Sequence, residues 1–250
     1  MQRKIPAYST MKSDTFSPSS FAVLKKAEAE HFWFHIRKQW IFDKINKFMS
    51  PPANVLEVGC GTGVVSSFLA EKGYRVTGCE YYQEAIDIAW PGFRIIRGDA
   101  NNIPFEDNHF DIVGLFDVIE HFEDDKKPLQ EAARVVRRGG IVIVTVPARQ
   151  ELWSHIDEHS FHKRRYNKKS LQDTLLAVQL RPLAIEYIFM SLYFPMKYMR
   201  RRKKYTQNQF RINTIINALL TKIFGIERVM SRWLPFPIGT SLLAVAQKQK

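Results

Sequence analysis

Short apolar runs alternate with segments of helical period through the middle of the chain. That alternation predicts a parallel sheet crossed by helices. Residues 54–58 form an apolar run that enters a glycine-rich turn, residues 63–72 have helical spacing closed by Gly73, and residues 75–80 read as a second strand. The pattern continues with a helix over 84–89, a strand over 93–97 ending at Gly98-Asp99, a strand over 110–116, a helix over 128–136 ended by Gly139-Gly140, and a β-branched strand over 141–146. Strands joined through helices run parallel, and their crossovers cover both faces of the sheet. The fold class is therefore α/β, doubly wound and Rossmann-like. Ahead of it, residues 1–20 form a polar arm, and residues 21–49 read as one lid helix broken by Ser50-Pro51-Pro52. That division gives an N-terminal part over 1–50 and a main domain over 51–250. Beyond Pro147 the reading is a polar segment, a helix over 167–178 capped by Asn167, strands over 183–190 and 241–246, and a long insertion over 191–239 between those strands.

Composition narrows the class. With 250 residues and 45% hydrophobic residues, the chain can bury a core without cross-links. Its two cysteines, Cys60 and Cys79, form no disulfide framework and no zinc spacing. The first twenty residues lack the apolar run of a signal peptide, and no stretch of about 18 apolar residues occurs. The expected location is cytoplasmic. Charge is uneven: residues 195–250 carry 12 Lys/Arg against the single acid Glu227, whereas residues 1–194 carry 25 basic and 24 acidic residues. Such a tail suits an anionic partner, whether a membrane surface, a phosphorylated lipid or nucleic acid. A basic run over 197–204 precedes Ile212, Ile215, Ile216, Leu219, Leu220, Ile223, Ile226, Met230 and Trp233, which recur at helical spacing. Asn213, Asn217, Thr221, Lys222 and Arg228 fall on the opposite side, and Gly225 is a candidate break. An amphipathic helix beside a basic cluster fits peripheral docking of 195–234 on the inner face of an anionic membrane. The alternative is a helix that covers the substrate pocket with its apolar face buried.

The glycine-rich turn is Glu57-Val58-Gly59-Cys60-Gly61-Thr62-Gly63. Dinucleotide enzymes use a similar strand-to-helix turn, but their spacing is Gly-x-Gly-x-x-Gly, and Glu57 directly before the turn would repel a pyrophosphate. A sulfonium cofactor with an ammonium group meets no such objection. Glu80 ends the second strand, where a carboxylate can accept from both ribose hydroxyls. Asp99 follows the third strand, where an acid can accept from the adenine amino group. Carboxyl ends of parallel strands are where open α/β sheets bind ligands.

With these residues the chain resembles the class I S-adenosylmethionine-dependent methyltransferases. Residues 55–63 look like their first motif, and Glu80, Gly98-Asp99-Ala100, Phe110-Asp111-Ile112-Val113 and Arg137-Arg138-Gly139-Gly140 match later motifs in order. The resemblance implies seven strands, with the antiparallel last one between the fifth and sixth. It implies that Glu57, Gly59, Cys60 and Gly61 border the methionine end of S-adenosylmethionine, Glu80 the ribose, and Asp99 and Ala100 the adenine. Tyr81 and Phe116 complete the expected cofactor site. A further likeness, to bacterial small-molecule and lipid-type members, lies in Glu30-His31-Phe32-Trp33-Phe34-x-x-Arg37 and in Leu152-Trp153-Ser154 through His162-x-Arg164-Arg165-Tyr166. Where that subgroup has Ser-x-His-Asp, this chain has Ser154-His155-Ile156-Asp157.

Methyl transfer to a hydroxyl or acidic carbon calls for a base. His121, just past the fourth strand, is one candidate. The cluster His155, Asp157, His159 and His162 is the other, and the catalytic expectation is His121, His155, Asp157 and His162. Asp117-x-x-Glu120-His121 resembles the Glu-x-x-Glu-His with which some quinone and RNA-end methyltransferases hold a divalent ion, but no metal is counted among the expectations. Phe32, Trp33 and Trp40 suit either an apolar substrate or the core. The expected acceptor is small or lipid-linked, such as a quinone precursor or a polyisoprenoid-linked sugar. Two rival readings are an RNA methyltransferase, motivated by the basic tail, and a non-catalytic peripheral membrane protein with this fold. No separate RNA-binding module is visible, which makes nucleic acid the weaker partner.

Overall fold

The computed structural model describes residues 18–200 and 212–249. Within them one sheet holds β1 (Asn54–Val58), β2 (Arg75–Glu80), β3 (Arg94–Arg97), β4 (Phe110–Phe116), β5 (Val136–Pro147), β6 (Leu180–Ile188) and β7 (Ser241–Lys248). The spatial order is β3-β2-β1-β4-β5-β7-β6. β1 to β5 pair in parallel, and β7 runs antiparallel to both β5 and β6. The strand order therefore reverses between β1 and β4, which opens a crevice at their carboxyl ends. β1, β4 and most of β5 are buried nearly throughout, as strands covered on both faces must be.

The helices are α1 (Pro18–Glu30), α2 (Phe32–Phe48), α3 (Val64–Glu71), α4 (Gln83–Asp87), α5 (Lys126–Val135), α6 (His155–His159), α7 (Lys168–Ala177), α8 (Tyr193–Arg200) and α9 (Thr214–Met230). Asn167 caps α7 as expected, its side chain accepting from Ser170 N. Three expectations change. The helix predicted over 21–49 is two helices, because His31 takes an extended conformation and its ring accepts the Trp33 N–H, which starts a second helix. β5 begins at Val136, so Arg137–Gly140 lies in the strand, with a register shift opposite Phe110–Ile112. α9 passes through Gly225 without a break.

The orientation of α9 departs most from the sequence pattern. Its inner face holds Phe224, stacked on Phe32 at 5.3 Å, together with polar residues that find specific partners on α2 and beyond. Asn217 accepts from Phe32 N at 2.9 Å and donates to Glu30 O at 2.8 Å, bridging the break between α1 and α2. Arg228 pairs with Asp43 at 2.7 Å, and Trp40 donates to Ser231 at 3.0 Å. The buried Glu227 carboxylate accepts from Met190 N and Ser191 N. Most of the predicted apolar stripe points the other way: Ile215, Ile216, Leu219, Ile223, Ile226, Met230 and Trp233 are exposed, and only Ile212 and Leu220 lean on the core. The arrangement in which that stripe is buried over a pocket is not the one adopted. Of the basic run, residues 201–204 lie outside the described residues.

Candidate active site

The first wall of the crevice is the turn between β1 and α3. Gly59, Gly61 and Gly63 all have positive φ, +64°, +56° and +81°. A Cβ on Gly59 would stand 2.8 Å from the Val118 side chain, and one on Gly63 would enter the Phe93 ring, so backbone angle and space both require glycine there. The turn is tied to the end of β2: Gly59 N–H donates to Cys79 O at 2.8 Å, and Gly61 N–H donates to Glu80 Oε2 at 2.7 Å. Glu80 Oε1 accepts from Tyr81 N and Tyr82 N at 2.8 and 2.9 Å. Burial nonetheless holds the Glu80 pKa above the usual carboxylate range. Its oxygens already accept from three backbone N–H groups, two at Oε1 and one at Oε2, which leaves a lone pair on Oε2 for a ribose hydroxyl.

Glu57 is buried and accepts from Ser66 Oγ; desolvation pushes its carboxyl up to about 7. The Cys60 thiol is buried, and burial pushes its pKa well above the ordinary value. Asp99 and Ala100 are half-buried just past β3, where Asp99 Oδ1 accepts from Asn101 N at 2.8 Å. Tyr81 lies edge-on to Tyr82, and Phe116 closes β4 in the core. These glycine, carboxylate and aromatic positions fit a ligand carrying an amino acid end, a vicinal diol and an adenine.

The opposite wall follows β4. Asp117 has a positive φ of +58° and pairs with Arg37 of α2 at 2.5 Å. The Arg37 guanidinium sits over the Trp33 ring at 5.0 Å and beside Phe116 at 6.0 Å. Of the aromatics weighed for substrate packing, Phe32 and Trp40 are core, and Trp33 remains half-buried beside Arg37. Ile119–His121 forms one 3-10 turn that buries Ile119 and Glu120. Glu120 is wholly buried, and neither carboxylate oxygen has a hydrogen-bond partner. Burial first, then the Asp117 charge, push its pKa well above normal.

The His121 ring meets the His162 ring edge-on at 4.8 Å, and desolvation lowers its pKa to about 4. His162 Nδ1 lies 3.1 Å from Asp157 Oδ1. Asp157 is fully buried, caps α6 through Ser154 N, and pairs with Arg165 at 2.7 Å. The structure thus gathers His121, Asp157 and His162. It leaves His155 exposed and paired with Glu158 at 3.0 Å, because the shifted histidine occupies the first position of α6 rather than the buried side of its cap. Ligand atoms of Glu120, His121 and His162 lie within 4.8 Å of one another, a carboxylate and imidazole set that could hold a divalent cation.

Sequence reasoning missed how α1 reaches this site. Glu28 accepts from Thr62 Oγ in the glycine turn and from Trp90 Nε1 at 2.9 Å, and Phe21 stands against Tyr82 at 5.5 Å. No spacing signal marks Glu28, since Thr62 lies 34 residues further along.

Residues 56–144 match the family described as methyltransferase domain. A Mycolicibacterium smegmatis protein described as a probable S-adenosylmethionine-dependent methyltransferase is 30% identical over 151 residues, 58% of each chain. The match therefore spans less than two thirds of that relative. A demethylmenaquinone methyltransferase of Corynebacterium kroppenstedtii is 33% identical over 95 residues, 38% of this chain and 42% of its own. Among solved structures, the Haemonchus contortus phosphoethanolamine N-methyltransferase 2 in complex with S-adenosyl-L-methionine superposes with a TM-score of 0.63 at 14% identity, over 95% of this chain and 59% of that one. With the sheet order, the glycine turn and these matches together, residues 56–144 match a methyltransferase domain, and the chain is similar to S-adenosylmethionine-dependent methyltransferases.

Proposed function

We propose that the protein transfers a methyl group from S-adenosylmethionine to a small or lipid-linked acceptor, such as a quinone precursor or a polyisoprenoid-linked sugar. The observation that carries this reading is the convergence of the positive-φ glycine turn with Glu57, Glu80 and Asp99 at the carboxyl ends of β1, β2 and β3. When bound, the cofactor supplies a methyl on a sulfonium, whose leaving group is already activated. Glu57, with the backbone of Gly59, Cys60 and Gly61, holds the methionine end. Glu80, flanked by Tyr81, holds the ribose; Asp99 and Ala100 border the adenine, and Phe116 backs the site. On the acceptor side, Asp157 accepts a hydrogen bond from Nδ1–H of His162 and so leaves Nε2 as the proton acceptor. His121, neutral at physiological pH, is its immediate polar neighbour. The likeness to a demethylmenaquinone methyltransferase supports a small acceptor. A lipid-linked acceptor would put the working enzyme at the inner face of a membrane as a peripheral protein.

Calorimetry tests the reading. S-adenosylhomocysteine should bind, a nicotinamide dinucleotide should not, and Glu80→Ala should weaken binding by about 1–3 kcal/mol through lost hydrogen bonds. Binding of the dinucleotide alone would reject it. An RNA gel shift of comparable affinity would favour the RNA methyltransferase instead.

A second reading rests on Glu120, whose two buried oxygens lack partners. A divalent cation held by Glu120, His121 and His162 would occupy those lone pairs and orient an acceptor hydroxyl, in place of proton removal by His162. Metal analysis after dialysis should then find one ion in the wild type and none in Glu120→Gln.

A further inference from the structure

The helix that braces α2 presents a second apolar face that is exposed among the described residues. Ile215, Leu219 and Ile226 of α9 are 79%, 56% and 62% exposed, and Trp233 and Leu234 just past its end are 83% and 63% exposed. Scattered apolar residues on a surface are ordinary, but this set repeats at helical spacing along the whole of α9. The inner face is independently satisfied by Phe224, Asn217, Glu227 and Arg228, so the outer stripe is not needed to hold the helix in place. α8, on the other side of the undescribed stretch, also exposes Phe194, Tyr198 and Met199. Between the two helices the sequence 201–211 contributes five basic residues and no acid.

We propose that the outer face of α9 is a docking surface for an anionic lipid bilayer. Charge selects this partner over two others. Arg228 and Arg232 are paired with Asp43, but residues 195–222 carry eight basic residues and no acid, so a second copy of the chain would bring like charges together, whereas an anionic bilayer supplies the opposite charge. Nucleic acid would satisfy the charge but leave Ile215, Leu219, Ile226 and Leu234 in water. No described helix is long and apolar enough to cross a membrane, so α9 lies in the interfacial plane with its stripe among the headgroups and upper acyl chains. Through Asn217, Phe224 and Arg228 the docked helix grips α2, the helix that also carries Arg37 to Asp117. Docking therefore orients the acceptor side of the crevice relative to the bilayer. The surface stands whether or not the acceptor is lipid-linked, so failure of one reading leaves the other testable.

The test is flotation of the full chain with phosphatidylcholine vesicles and with mixed phosphatidylcholine and phosphatidylglycerol vesicles. Binding is expected to the anionic vesicles and to fade as salt is raised. Leu219→Asp with Ile226→Asp should cut partitioning by roughly tenfold or more, with the melting temperature and S-adenosylhomocysteine affinity unchanged, because both side chains are in solvent in the free protein. Reversing the charge of Arg201, Arg202 and Lys203 should cut it on the order of 100-fold. Brominated lipid should quench fluorescence that Trp233→Phe removes. Equal binding to neutral and anionic vesicles, no binding to either, or undiminished binding of the Leu219→Asp, Ile226→Asp variant overturns the proposal. So does a concentration-dependent dimer that this variant abolishes, since a second copy would then be the occupant.

Discussion

The guanidinium of Arg37 and the carboxylate of Asp117 stand 2.5 Å apart where α2 meets the turn after β4, the first buried and the second half-buried. Burial and then the Asp117 charge raise the pKa of the neighbouring Glu120, and Arg37 opposes that rise. Removing one partner of such a pair strands the other. Arg37→Met should cost about 3–5 kcal/mol of stability, and Arg37→Met combined with Asp117→Asn should cost less than Arg37→Met alone. Urea unfolding of the four proteins measures the coupling. Additive losses would show that the pair contributes nothing as a pair.

Glu28 fastens α1 to the glycine turn through Thr62 and to Trp90, and burial raises its pKa. Thr62→Val removes one donor and leaves a buried acceptor short of a partner. The expected result is faster amide exchange across residues 20–30, roughly 5- to 100-fold for a local loss of about 1–3 kcal/mol, with the sheet unaffected. Exchange unchanged in α1 would mean that the helix is held by its other contacts.

In the proposed cofactor site, Glu57 should make cofactor affinity depend on pH. Its folded pKa is about 7 against an ordinary 4.5, so the fold retains its proton. Its contribution to folding is full below about pH 4.5 and is lost as pH rises through about 7. A ligand with an ammonium group beside Glu57 requires the carboxylate. S-adenosylhomocysteine affinity should therefore fall as pH drops below about 7, by up to roughly tenfold per unit. Titration calorimetry between mildly acidic and mildly basic pH should show this in the wild type and a flatter profile in Glu57→Gln.

His162 and Asp157 form an oriented pair, and His155 stands apart from it. His162→Ala should lower turnover on an acceptor that the wild type methylates by about 100-fold or more, with S-adenosylhomocysteine affinity preserved. His155→Ala should stay near wild type. The opposite ranking would return the catalytic role to the exposed histidine and remove it from the buried pair.

The glycine turn, Glu57, Glu80 and Asp99 are legible in the sequence because each depends on neighbours a few residues away: a strand end, a positive φ, a helix start. The sheet is legible for the same reason, since apolar runs bounded by glycines set where strands begin and end. His162 and Asp157 can be picked out as residues, but their meeting with His121 across some forty positions cannot. Neither can the Glu28 latch, or the choice between His155 and His162, which a single shifted position beside the α6 cap decides. α9 shows the limit most clearly. Periodicity alone determines that it is an amphipathic helix, yet not which side faces in. Tertiary structure turns Asn217, Glu227 and Arg228 inward, because each finds a hydrogen-bond or charge partner around α2 and the turn before α8. That leaves the aliphatic stripe in solvent, an outcome that hydrophobic pattern by itself would reverse.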